Sequence, residues 1–281
     1  MSIEIPVEHQ KITNVQQTAW AFVRNRRGWW LLLFAVLTIA WVALGIRLTV
    51  RYGFDDDVVQ VFLFIPMMAG GAYWSLVLHK VRERFWRQFA ETRGFTYHPK
   101  GDHAAEAAVM FHQGHGRRML HVISGQTGDR ALRVFSYQFT VGSGKSSRTY
   151  PYTVFEFRFA SRFPHLYCNQ RYNNYGVTVG VTVPLPAEFE KKFAVRAPKE
   201  YEIEALEVFT PDLLAYLLDS EFAHDLEIVD QELLIFTAGF MNTVDDLERK
   251  FNDAVALANR LAPKLDRFRF TPIGQLPHTL T

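Results

Sequence analysis

Five histidines, His98, His103, His112, His115 and His121, fall within 24 residues, with Asp102 and Glu106 among them. Histidine nitrogens and carboxylates are the ligands that zinc takes, and two histidines three residues apart can aim their rings at one ion. His112 and His115 have that spacing, and His121 would be a third donor. The segment between them, "FHQGHGRR", carries Gly114 and Gly116, which predicts a turn in place of a rigid helix face. No Cys or Glu stands at a recognisable ligand offset. The expectation is therefore no metal and no cofactor, with His112, His115 and His121 as the candidates if an ion is held.

A second motif, "TVGSGKSSR" over residues 140–148, resembles the end of a phosphate-binding loop. Such a loop needs Gly-x-x-x-x-Gly-Lys-Ser/Thr between a strand and a helix, so that backbone N–H groups and the helix N-terminus face the phosphates. Five residues before Gly144 stands Phe139, and the residues after Lys145 alternate aromatic and β-branched types around Pro151. That pattern predicts the tip of a β-hairpin with glycines at positive φ. No Gly-x-Ser-x-Gly is present, and the single cysteine, Cys168, has no base near it in sequence. A lone cysteine of this kind reads as a small buried residue, and no catalytic residue is assigned.

The elements around these motifs divide in two. Residues 29–46 and 58–78 contain no charged side chain, and about 20 apolar residues suffice for a helix to cross a bilayer. Trp29, Trp30, Tyr73 and Trp74 stand near the ends of these runs, where interfacial aromatics belong. A transmembrane helical hairpin over residues 29–79 is expected, with spans at 29–50 and 58–79. Lys11, Arg24, Arg26 and Arg27 precede the first span, and Lys80, Arg82, Arg84, Arg87 and Arg93 follow the second. The loop between has Arg47 and Arg51 set against Asp55, Asp56 and Asp57. Retention of basic residues on the cytoplasmic side implies a multi-pass inner-membrane protein with both termini cytoplasmic.

Residues 1–28 read as a cytoplasmic arm with a helix over 15–23, too short for a core of its own. Residues 80–94 read as a juxtamembrane helix ended by Gly94, with Phe85, Trp86 and Phe89 at the headgroups or against the domain. Residues 95–281 predict an α+β domain with a mainly antiparallel sheet and packed helices. "RRMLHVIS", "RALRVFSYQFTV" and "RTYPYTVFEFRFA" alternate as strands separated by "GQTGDR" and "GSGKSS". Tyr152, Val154, Phe157 and Phe159 do not share one face of a regular strand, so a bulge or burial on both faces is expected. "HLYCNQRYNNYGVTVGVTVPLP" reads as strand, loop, strand, with the polar residues 169–176 as the loop, and "DLEIVDQELLIFTA" as two short strands about a turn near Asp230. Thr210 caps a helix opened by Pro211 and Asp212. A last amphipathic helix starts near Thr243, carries Val244, Leu247, Phe251, Val255, Ala258 and Leu261 on its apolar side, and ends at Pro263.

Charge is distributed unevenly. Residues 95–281 hold 20 Lys or Arg against 22 Asp or Glu, which excludes a general nucleic-acid binder. Between residues 117 and 171 nine basic side chains meet only Asp129 and Glu156, whereas residues 200–248 hold fourteen acids and no base. Arg117, Arg118, Arg130, Arg133, Lys145 and Arg148 are the candidate surface for anionic lipid or a protein partner; two ordinary solvated faces are the alternative. The whole pattern, including the Gly-Ser-Gly-Lys tip and "YEIEALEVFTPDLL" at residues 201–214, resembles uncharacterised bacterial membrane proteins with two N-terminal transmembrane helices and a cytoplasmic α+β domain. The resemblance implies an architecture and no activity. The functional expectation is a membrane-anchored binding or scaffold module whose partners are the bilayer and a protein or a second copy. The alternative is a membrane-tethered enzyme or metal-dependent sensor using residues 98–121.

Overall fold

The computed structural model describes residues 11–25, 29–52, 56–102, 107–171, 179–219 and 224–266. Side chains of residues 29–33 and 56–63 are not described, and His103, Glu106, Arg26, Arg27, Asp55 and most of the polar loop at 169–176 lie outside the described residues. The chain forms two compact units: residues 1–89 with 242–244, and residues 90–241 with 245–281.

The first unit holds α1 (Val15–Asn25), α2 (Trp29–Tyr52) and most of α3 (Asp56–Thr92). One stretch among the described residues, Phe34–Tyr52, is long and apolar enough to cross a membrane. The ring of Phe34 lies 3.7 Å from the point where Gly70 would carry a Cβ, so α2 and α3 touch there. The N-terminal segment contributes more than a polar arm would. Ile12, Val15, Ala19 and Phe22 are buried, and Thr13 to Val15 is stitched to residues 242–244 by Val15 N–H to Asn242 O (2.8 Å) and Val244 N–H to Thr13 O (3.0 Å). Phe85, Trp86 and Phe89 are buried in protein, with Trp86 wholly enclosed.

The second unit is α+β. Its seven strands are antiparallel: β1 (Thr96–Gly101), β2 (His115–Thr127), β3 (Arg130–Val141), β4 (Arg148–Gln170), β5 (Val181–Thr182), β6 (Phe193–Ala197) and β7 (Asp225–Ala238). The order β1-β2-β3-β4-β6-β5 is completed by β7 on the other edge of β4. Short helices α4 (Ala187–Glu190), α5 (Glu202–Val208) and α6 (Pro211–Asp219) precede β7, and α7 (Val244–Leu265) follows it. Gly94, at φ +67, ends α3 as expected: its N–H bonds Glu91 O and Phe95 N–H returns to Ala90 O. α6 begins at Pro211, with Leu213 and Leu214 N–H both on Thr210 O.

The sheet has two buried faces. On the inner face, cross-strand pairs Phe135–Val154, Tyr137–Tyr152 and Phe139–Tyr150 join Ala108, Met110 and Phe111 in one apolar cluster. On the outer face Phe155 meets Phe251 of α7 edge-on at 6.4 Å. Residues 152–157 are all buried, so β4 is covered on both sides, one of the two expected solutions. Along α7, Leu247, Phe251, Ala254, Leu257, Ala258, Leu261, Ala262 and Leu265 are buried, while Val244 and Val255 are half-buried. The helix runs two residues past Pro263, whose missing N–H is tolerated in a last turn closed by Asp266 N–H on Ala262 O.

Two expected boundaries are absent. β4 is one strand of 23 residues, not a strand, a break and a second strand. β7 likewise runs unbroken through Asp230, where a turn was expected. The cause is a shared irregularity: the β4–β7 register shifts between Arg158 and Leu166, with Asp230 opposite Phe163 and held at φ 52. Because side chains alternate with period two, a one-residue slip exchanges the faces. Val229 points inward before Asp230; Leu234 and Phe236 do so after it. Glu227 stands opposite Tyr167, an inner-face residue, and shares that face.

Candidate functional site

The six basic residues singled out by sequence do not share one surface. Arg133 lies directly across from Glu156. Its Nε and NH2 donate to the two carboxylate oxygens at 2.7 and 2.6 Å, and Glu156 is buried. Arg130 projects to α7, donating to Asn259 Oδ1 at 3.0 Å and lying near Asp129 and Asp266. These two are structural cations, a role that non-local register decides.

The other four cluster at the opposite end of the strands. Arg117 and Arg118 stand near the start of β2, while Lys145 and Arg148 flank the β3–β4 hairpin. Ser146 N–H reaches Ser143 O and Ser147 N–H reaches Gly144 O, both at 3.3 Å, and Gly142 and Gly144 take φ of 85 and 57. A Cβ on Gly142 would sit 2.9 Å from Ser146 O, so this bend needs glycine. Lys145 thus projects from a hairpin with a strand behind it, and no helix N-terminus faces it. His115, whose Nε2 is 2.9 Å from Gly142 O, ties β2 to the same tip.

No acid occurs between residues 107 and 128 or between 131 and 155. Arg118 and Lys145 are exposed and make no ion pair among the described residues. Arg117 donates to Phe111 O at 2.8 Å, and the Arg148 guanidinium lies 5.3 Å over the Tyr150 ring. Burial pushes the Tyr137 hydroxyl up to about 12, against the opposing pull of Arg117. Val141, 45% exposed, puts an apolar group among these cations. The result is a basic, partly apolar end of strands β2 to β4, with Asp102, the residue after β1, the nearest acid in register.

The histidines disperse. His98 is exposed on β1 and His112 closes a 3-10 turn at residues 109–112. His121 is buried at a β2 irregularity with φ 54, its Nδ1 3.0 Å from Tyr97 Oη. Among the described residues no group of three metal-ligating side chains comes together. Cys168 is buried, and its thiol is raised well above the usual range by burial and by Asp225.

A polar group on the inner face escaped sequence reading. Glu227 is fully buried; its Oε1 accepts from Val109 N–H at 2.6 Å and lies 2.7 Å from His165 Nε2. Asp225, also buried, accepts the Gln170 N–H at 2.7 Å. Both belong to the acidic stretch that the solvated-face alternative would put in water, and both lie inside instead, Glu227 because the slip at Asp230 turns it inward. Asn169 is buried beside them, its Nδ2 donating to Gln170 O at 3.2 Å.

No protein-family model matches the chain, and no curated protein matches it. Among solved structures it is similar to the mycobacterial trehalose monomycolate transport factor A, TtfA, at 13% identity and a TM-score of 0.49, covering 65% of this chain and 95% of that one. That likeness is too distant to bear on fold or function.

Proposed function

We propose that this protein is a membrane-anchored binding module whose β3–β4 hairpin end docks on an anionic surface, the phosphates of the cytoplasmic leaflet. The carrying observation is the hairpin end of β2 to β4, which holds Arg117, Arg118, Lys145 and Arg148 with no acid between residues 107 and 128 or 131 and 155, and where exposed Val141 lies opposite Arg148. Each Lys or Arg near an anionic leaflet contributes about 1 kcal/mol, screened over a Debye length of about 8 Å. An apolar side chain among them adds insertion at the headgroup boundary.

The anchor is a two-helix hairpin of α2 and α3, both termini cytoplasmic. Supporting it, Val36, Leu37, Ile39 and Val50 of α2 and Phe64, Met67, Met68 and Leu76 of α3 are all exposed. Apolar side chains that a water-soluble helix would bury are here turned outward. Trp20 packs on Trp74 at 4.8 Å, near the end of the second apolar run, where interfacial aromatics belong. No geometry among the described residues favours the metal-dependent sensor or enzyme.

The test uses the full chain in nanodiscs. Cys168 is buried and silent, so Lys145→Cys in a Cys168→Ala background carries an environment-sensitive fluorophore at the tip. Anionic nanodiscs should blue-shift the probe relative to neutral ones, and rising salt or Arg117→Glu with Arg118→Glu and Arg148→Glu should reverse the shift. Identical spectra in the two lipids at low salt would refute docking. Labelling of the same cysteine by an impermeant reagent in intact cells would refute the topology.

A further inference from the structure

Two buried acceptors on the inner face, Glu227 Oε2 and Asn169 Oδ1, have no hydrogen-bond partner among the described residues. They are deeply enclosed, Glu227 at 0% and Asn169 at 6% exposure. The remaining polar atoms of both side chains are engaged: Glu227 Oε1 by Val109 N–H and His165, Asn169 Nδ2 by Gln170 O. Those contacts leave Oε2 and Oδ1 as the unmet ends.

Register places the two close together. Glu227 lies opposite Tyr167, and Asn169 is two residues further along β4, on the same face. They are diagonal cross-strand neighbours, with backbones about 7–8 Å apart, a span that two side chains close onto one small group. Both are acceptors and one is a carboxylate, so the matching group carries only donors and a positive charge. The absence of a three-ligand set among the described residues disfavours a metal ion. An ammonium, with three donors and no acceptor, fits the inventory.

We propose that the inner face holds a binding site for a small soluble primary amine, its ammonium seated between Glu227 Oε2 and Asn169 Oδ1. His165, bonded to the same carboxylate and 23% exposed, is the member that solvent reaches and marks the way in. An entry bounded by one half-buried imidazole admits a free amine and not a headgroup held in a bilayer. The site is independent of the membrane reading and stands or falls without it.

Methylammonium is the probe, with tetramethylammonium, which has no N–H, as the control at equal ionic strength. Thermal unfolding of the full chain in detergent should show a saturable rise of about 3 °C or more with methylammonium several-fold above its Kd, and none with the control. Asn169→Ala, which keeps the carboxylate, should abolish the rise in a protein that still folds. Glu227→Gln should do the same if it folds. Equal responses to the two salts, or a rise that survives Asn169→Ala, overturn the proposal. So does a crystal structure grown with methylammonium in which Oε2 is occupied by a water or by the guanidinium of Arg196, which β6 sets opposite Tyr167.

Discussion

His224 makes the stability of the second unit depend on pH. It is 3% exposed, and burial, reinforced by the nearby Lys250 ammonium, lowers its imidazole from 6.5 to about 3; Asp246 opposes this and Arg249 adds to it. The folded state therefore keeps the ring neutral where the unfolded chain takes up a proton. Stability is fully present above pH 6.5, declines as pH falls below it, and stops declining near pH 3. At pH 5.5 the unfolded chain gains RT ln(1 + 10), about 1.4 kcal/mol, a figure set by the ordinary imidazole value. For a unit of this size the loss corresponds to about 3–6 °C in Tm. The assay is thermal unfolding of the full chain in detergent at pH 7.5 and 5.5, followed by β-sheet circular dichroism. The quantity read is the difference between wild type and His224→Gln, which has no proton to gain, so that any change common to both cancels. His224→Gln should lose about 1.4 kcal/mol less than wild type between the two pH values. A variant that loses as much as wild type would show that His224 is protonated in the fold and that the reasoning is wrong.

Arg133→Met should cost about 3 kcal/mol in urea unfolding, the low end for a buried pair because Arg133 is partly exposed, and Arg133→Met with Glu156→Leu should recover most of it. Gly114→Ala should destabilise strongly, since its Cβ would sit 2.3 Å from Thr140 O at φ +56; Gly128→Ala, with the same sign of φ and open space around it, should cost only about 1 kcal/mol. Isothermal titration with ATP should show no saturable binding to wild type, and Lys145→Ala should leave the trace unchanged.

Much of the architecture is written in local chemistry. Gly94, Gly128 and Gly142 carry their turns in their own φ angles, and α7 declares its buried stripe by spacing. What escaped is non-local. Asp230 at φ 52 is a bulge residue without the glycine that would announce one, so β7 read as two strands and the inward turn of Glu227 was invisible. Arg130 and Arg133 look like Lys145 and Arg148 in a charge count. Only the register that sets Arg133 against Glu156 separates a structural cation from a surface one.

The 23-residue strand β4 has a consequence in time. It pairs with β3 on one side and with β7, residues Asp225–Ala238, on the other. At about 5–20 residues per second of synthesis, roughly 3–14 s separate the appearance of Gln170 from that of Ala238. Through that interval the β3–β4 hairpin can close, but the far edge of β4, with Val154, Phe155 and Phe157, has no strand to meet. A nascent chain stalled there offers an unpaired apolar ribbon to its neighbours, and the arrival of β7 ends that exposure.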